Sequence, residues 1–326
     1  MRLRILALAA ALAACGVGTP AGPTGPSGPA QPSGPTPLLG SCTVFPEDNA
    51  WNRDVSGDPV HPNSAALIAA MTPDREIRLD LGTSEEYYGI PYAIVPESQP
   101  LVEISYGTGG DDYSDESDPG PMPIPLDVHI EGGSSESPDP TSGDRHVLVV
   151  RQGDCTLFEL FNTERTAFGF RVSSSAIWNL NANHTRTPGW TSADAAGLPI
   201  LPGLLKYEEV AADRLHHALR FTVPRVRRAY VAPASHCGQY ADAALPPYGT
   251  RVRLKTGFSL APYSGDALVI LTAMKRYGML LADQGSAWYV TGTSDPRWED
   301  ALDQLRGAGM SGSDFEVVEA GPVTSC

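Results

Sequence analysis

Asp144-Arg145-His146-Val147-Leu148-Val149-Val150, followed after a short polar turn by Cys155-Thr156-Leu157-Phe158-Glu159-Leu160-Phe161, decides the fold class. Val147–Val150 is continuously apolar and rich in β-branched residues, which marks a strand short of solvent on either face. The second run alternates. Period two places Cys155, Leu157, Glu159 and Phe161 on one face and Phe158 and Leu160 on the other. The two runs are therefore expected to pair, with Glu159 a carboxylate among apolar neighbours.

The same pattern recurs outward in both directions. Short apolar or alternating runs at 92–95, 101–106, 126–130, 219–223, 251–255, 288–291 and 315–318 are separated by Gly, Pro and Asp clusters, the signature of a β-sandwich or barrel-like sheet. Helical patterning is scarcer. It is confined to 64–71, 267–277 and 297–306, the last entered through Asp295-Pro296. The expectation is a β-rich α+β fold with a few helices toward the C-terminus, and no internal repeat.

The N-terminus is read differently. Arg2 and Arg4 precede an apolar stretch ending at Ala14, far shorter than the roughly 20 residues needed to span a membrane. Residues 1–14 therefore read as a signal peptide. Leu12-Ala13-Ala14-Cys15 resembles the lipobox of bacterial lipoproteins, which implies that Cys15 is lipidated, that several acyl chains including palmitate anchor it, and that the chain is held at the cell envelope, on the outer membrane or cell surface. Gly16 follows it. Residues 15–40 are a Gly/Pro/Ser/Thr/Ala tether with the run Gly22-Pro23-Thr24-Gly25-Pro26, extended at roughly 3 Å per residue where it adopts polyproline II. Residues 41–326 are left for a single globular domain.

Charge and cysteines bound the chemistry. The formal net charge is −15, with only three lysines, Lys206, Lys255 and Lys275. Nucleic acid is excluded as a partner, because a phosphate-binding surface needs concentrated Lys and Arg. Besides Cys15, four cysteines remain, an even number outside a reducing compartment, which implies two disulfides. Domain termini often lie close together, so Cys42–Cys326 with Cys155–Cys237 is the expected pairing. No pair has CxxC spacing.

The chain carries no GxSxG elbow, HExxH helix, Walker loop or strand-linked GxGxxG. Three polar regions stand out instead. Asp111, Asp112, Asp115, Glu116 and Asp118 form an acidic loop, a candidate for calcium because hard cations take several flexible oxygen ligands. Gly143–His146 feeds the first strand, with Glu159 opposite; burial of that carboxyl suits a general acid. Thr191–Pro199, holding Ser192 and Asp194, is followed by Glu208-Glu209 and His216-His217. Period two puts His217 with Leu219 and Phe221, and His216 with Arg220 on the other face. A Ser192–Asp194–His217 triad lacks a nucleophile motif.

The runs Glu116–Pro121 with Pro123-Ile124-Pro125, Gly143–Val150, Thr191–Pro199, and Lys275–Met279 with Ala282-Asp283 resemble those of a family of uncharacterised exported bacterial proteins. The resemblance spans about residues 42–318 and implies one integrated domain containing the acidic segment. It attaches no reaction. Ile77-Arg78-Leu79-Asp80-Leu81-Gly82 departs from it where a His-rich variant is expected, which puts a metal site there in doubt.

Two function classes follow. One is a surface glycan-acting hydrolase or lyase, with Glu159 as acid, Asp194 or Glu116 as second carboxylate, His146 and His217 orienting them, and Trp178, Trp190, Tyr230 and Trp288 offered to a polysaccharide. The other is a noncatalytic surface binding or envelope-structural module using the same aromatics. Fold alone does not choose between them.

Overall fold

The computed structural model describes residues 39–82, 89–132, 143–299, 304–305 and 309–326. The expected signal peptide, Cys15 and the tether up to residue 38 lie outside the described residues. Leu39 already belongs to the fold: it is buried and bridges to Cys42. No described helix is long and apolar enough to cross a membrane.

The architecture is β-rich, built from open, mixed sheets and not a closed barrel. The larger sheet runs β1 (Arg78–Asp80), β14 (Tyr289–Thr291), β9 (Leu219–Val223), β13 (Met279–Gln284), β12 (Arg251–Leu254) and β15 (Phe315–Val317). A four-stranded sheet has the order β2 (Tyr92–Val95), β4 (Val147–Arg151), β5 (Thr156–Phe161) and β8 (Ser174–Asn179). Two smaller sheets complete the set: β3 (Glu103–Tyr106), β7 (Gly169–Val172) and β6 (Glu164–Arg165), then β11 (Pro247–Tyr248), β10 (Arg227–Tyr230) and β16 (Thr324–Ser325).

The opening stretch pairs as expected. β4 and β5 are antiparallel, with Leu148 opposite Glu159 and Val149 opposite Phe158. The continuous apolar run has a physical cause: this sheet is covered on both faces. Leu148, Val150, Leu157 and Trp178 enter the main core, whereas Val147, Val149, Phe158 and Leu160 enter a second core with Met122, Ile124 and Phe170. In the larger sheet, Phe221 stacks on Trp288 and Trp288 packs on Phe315, with ring centroids 5.4 Å apart in each pair.

The longest helix is α3 (Gly265–Arg276), whose buried Ala267, Ile270, Leu271, Ala273 and Met274 recur at helical spacing. Asp266 in its first turn and Lys275 and Arg276 in its last complement the helix dipole. α1 (Ser64–Ala70) forms where expected, and α2 (Tyr207–Ala211) is a further short helix. The candidate at 297–306 opens as a 3₁₀ turn, Pro296–Glu299, and then runs partly outside the described residues. No strand forms at 126–130.

The disulfides correct the expected pairing: they are Cys42–Cys155 and Cys237–Cys326. The two ends of the domain join different sheets. Phe45 donates to the Leu180 carbonyl and Leu180 donates to that of Cys155, which ties the N-terminal segment to the start of β5. At the other end β16 pairs antiparallel with β10, Ser325 opposite Ala229, and carries Cys326 to Cys237.

Candidate active site

The residues expected to catalyse are mostly closed off. Glu159 is fully buried. Its Oε1 accepts from the amides of Ile200 and Leu201, both at 2.9 Å, and its Oε2 accepts from Trp178 Nε1 at 3.1 Å. Burial pushes its carboxyl up to about 7, against the pull of those donors. Its carboxyl is sealed from solvent. Glu159 instead pins the loop from Thr191 to Leu201, which carries Asp194. Gly203, just beyond, shows how tightly that loop closes: a Cβ there would stand 2.6 Å from the Trp51 ring and 3.0 Å from Arg220 Cβ.

His217 belongs to a separate buried group. Its Nε2 lies 2.9 Å from Glu209, and Lys206 Nζ is 3.1 Å from the same carboxylate. Lys206 and His217 hold Glu209 below its usual range even though burial opposes the charge. Ser192 bonds to Leu198 and Asp194 backbone oxygens, so no Ser192–Asp194–His217 triad exists. Glu116 accepts from the Thr191 amide at 2.7 Å and lies 3.9 Å from His236. It is not gathered with Glu159.

The acidic loop does not converge on a cation. Asp111, Asp112 and Asp115 are exposed, Asp112 caps the Ser114 amide, and Asp118 pairs with Arg186 and the Ile177 amide. Among the described residues, no three His, Cys, Asp or Glu side chains are placed to hold a metal ion.

Asp194 and His146 do belong to one constellation, centred on Arg220 in β9. Arg220 grips Asp194 with two nitrogens at 2.9 Å each and donates to Thr291 Oγ1 at 2.6 Å. Its Nη2 also lies 3.9 Å from Asp283. His146 Nδ1 is 2.5 Å from Glu131, and its Nε2 is 3.1 Å from the Ala193 carbonyl. Despite burial, which disfavours the cation, Glu131 pushes His146 up to about 9. His146 in turn holds half-buried Glu131 below its usual range, although burial opposes its charge. Burial and the charges of Glu131 and Asp144 push Asp80 up, against Arg220.

Strand register builds this site. Asp80 in β1 lies opposite Thr291 in β14, whose hydroxyl meets Arg220 on β9. Parallel pairing of β13 with β9 puts Leu280 beside Arg220 and Leu281 beside Phe221. Strict alternation would then send Asp283 to the Phe221 face. A register shift between Leu281 and Asp283 sets Asp283 opposite Thr222, on the face of Arg220. Such bulges re-aim side chains. Burial and the neighbouring Asp194 charge push Asp283 up to about 7, and burial raises Asp194 as well, against the pull of Arg220. Asp283 is about 25 % exposed, Glu131 about 16 %, and Asp144 is open to solvent.

Comparison of the chain with protein-family models, curated proteins and solved structures finds no match. The site rests on geometry. Sequence reasoning placed His146 and Asp194 in it but missed Asp80, Glu131, Asp144, Arg220 and Asp283 as members. The run Ala282-Asp283 was a signal, since it places a carboxylate at the end of an apolar strand.

Proposed function

We propose that the chain is an exported, lipid-anchored bacterial protein of the cell envelope that cleaves glycans, as a hydrolase or lyase. Asp283 is the proton donor and Asp80 the second carboxylate. One observation carries the reading: five carboxylates, Asp80, Glu131, Asp144, Asp194 and Asp283, share the field of one arginine and one histidine. Burial and the neighbouring Asp194 charge raise Asp283, as acid catalysis at neutral pH requires. In hydrolysis, the Asp283 proton passes to the glycosidic oxygen as its bond to the anomeric carbon breaks. Asp80 takes a proton from the attacking water. Arg220 then faces the newly formed Asp283 carboxylate and stabilises it. The lipobox, the tether and the two disulfides support an extracytoplasmic location.

A noncatalytic surface module is the second reading. The closure of Glu159, Asp194, His146 and His217 into bonded pairs favours it. The test is incubation of the chain with a polysaccharide panel, scoring new reducing ends and unsaturated products, beside Asp283→Asn. Cleavage lost in the variant supports the enzyme. Binding without cleavage supports the module, and no response to any glycan removes both.

A further inference from the structure

The face of the larger sheet that holds Asp80, Thr291 and Arg220 continues beyond them. Two residues along β1 and β14, on the same face, stand Arg78 and Tyr289, opposite one another in register. Tyr289 in turn lies opposite Thr222. At about 3.4 Å per residue, this second row is roughly 7 Å from the first. Leu79 and Val290, between the rows in sequence, point the other way and pack on the main core.

The second row opens into a cavity. Arg78 and Tyr289 line it together with Arg75, Asp74, Glu76 and Ser286, and its volume is about 770 Å³, within the range of small-molecule and oligomer sites. Its arginines differ from the many in this chain that pair with a carboxylate. Arg53, Arg151, Arg171, Arg186, Arg220, Arg253, Arg276 and Arg297 are each paired with a carboxylate. Arg75 and Arg78 are exposed, and among the described residues neither side chain makes an ion pair or hydrogen bond. A planar guanidinium fork suits an oxyanion, and a tyrosine ring beside it offers a flat apolar surface to a sugar.

We propose that this cavity is a subsite for an acidic sugar, and that the substrate class is an anionic polysaccharide. The anionic group is held by Arg75 and Arg78, with the ring against Tyr289. The chain then runs along the sheet face toward Asp80 and Asp283. The inference rests on the proposed glycan cleavage for its context, but the binding it predicts is separable from cleavage. Carboxylate and sulfate share the recognition chemistry, and the probes below tell them apart.

The experiment is isothermal titration of the full chain with oligomers of polygalacturonate (carboxylated), dextran sulfate (sulfated) and dextran (neutral), at two salt concentrations. The proteins are wild type, Arg75→Ala/Arg78→Ala, Arg78→Lys and Asp283→Asn. Both arginines are exposed, so the variants should fold; melting curves check this. The expected result is binding of an anionic polymer, weakened by salt, at least tenfold weaker in the double alanine variant and intermediate in Arg78→Lys. Asp283→Asn should bind as wild type does. Equal affinity for neutral dextran, an unaffected double variant, or no polyanion binding overturns the inference. Cleavage of a neutral glycan that survives the double alanine variant leaves the enzyme reading intact and removes the acidic subsite. Arginine-dependent binding with no cleavage does the reverse.

Discussion

Glu159→Gln separates a loop-pinning carboxylate from a catalytic one, because the effect on stability should change sign with pH. In the wild type, Glu159 accepts from two backbone amides and an indole N–H and carries its proton up to about 7 instead of 4.5. A carboxyl whose folded value is raised binds its proton more tightly in the native state. Its contribution is therefore fully present below 4.5 and is lost as pH rises to about 7. At about 1.4 kcal/mol per pH unit over that interval, the wild type loses roughly 3 kcal/mol that glutamine, which does not titrate, never loses. Against this, the Gln NH₂ faces a buried donor that the carboxylate satisfied, a cost of about 1–3 kcal/mol at every pH. The variant should be less stable than wild type by about 1–3 kcal/mol at pH 4.5 and should equal or exceed it at pH 8. Urea denaturation at both values reads this directly. A stability difference that is the same at pH 4.5 and pH 8 would refute the reasoning. So would loss of glycan cleavage by a folded Glu159→Gln, since that places Glu159 in the chemistry.

Four further outcomes follow from the same geometry. Removing Cys42–Cys155, whose partners are 113 residues apart, should cost about 2–4 kcal/mol in denaturant melts, and a non-reducing peptide map should recover Cys237 joined to Cys326. The Glu131–His146 pair stabilises fully between pH 4.5 and 6.5, is lost as pH rises through about 9, and weakens on the acid side as Glu131 is protonated; His146→Gln should abolish the alkaline slope, and an unchanged slope assigns it elsewhere. Asp194→Ala strands a buried Arg220 and should cost about 3–5 kcal/mol, part of which Arg220→Met should restore in the double variant; simple additivity counts against the pair. Cleavage that needs protonated Asp283 should fall as pH rises through about 7, and a rate that stays flat across that value removes Asp283 as the acid.

The strands legible in the sequence are those whose burial writes itself into composition. Val147–Val150 and 156–161 read correctly because one is buried on both faces and the other is mostly apolar. β8 was missed: Ser174-Ser175-Ala176-Ile177-Trp178-Asn179 looks polar at its start, yet both serines are buried and satisfied by backbone and side-chain oxygens of neighbouring loops. Arg227–Tyr230 escaped for a related reason, since its arginines hide the strand pattern. Disulfide pairing was illegible because it depends on which sheet each terminus joins. The site was half legible. His146 and Asp194 sit in polar runs, but Arg220, read on the face of His216, is covered by the loop that carries Asp194, and a register shift aims Asp283 against its alternation.

Two buried charge groups in this molecule have opposite character, and the contrast argues for which one functions. Lys206, Glu209 and His217 set one carboxylate against two nitrogen bases, all nearly sealed from solvent; the group needs no further partner and pulls Glu209 below its usual range. Around Arg220 and His146 five carboxylates meet two cations, and burial together with the imbalance raises Asp80, Asp194 and Asp283. A network kept only for stability gains nothing from surplus like charge, because each unpaired carboxyl near a buried neighbour costs free energy. Of these, Asp80 and Asp283 are partly exposed, where solvent and a ligand can reach. The cavity with Arg75 and Arg78, which Asp74 and Glu76 also line, begins one strand repeat away from that negative excess. A substrate bearing its own negative charge would be drawn to the arginines and kept off the carboxylates. Its neutral glycosidic oxygen would then lie at the protonated acid, a division of charge that a merely structural cluster has no reason to maintain.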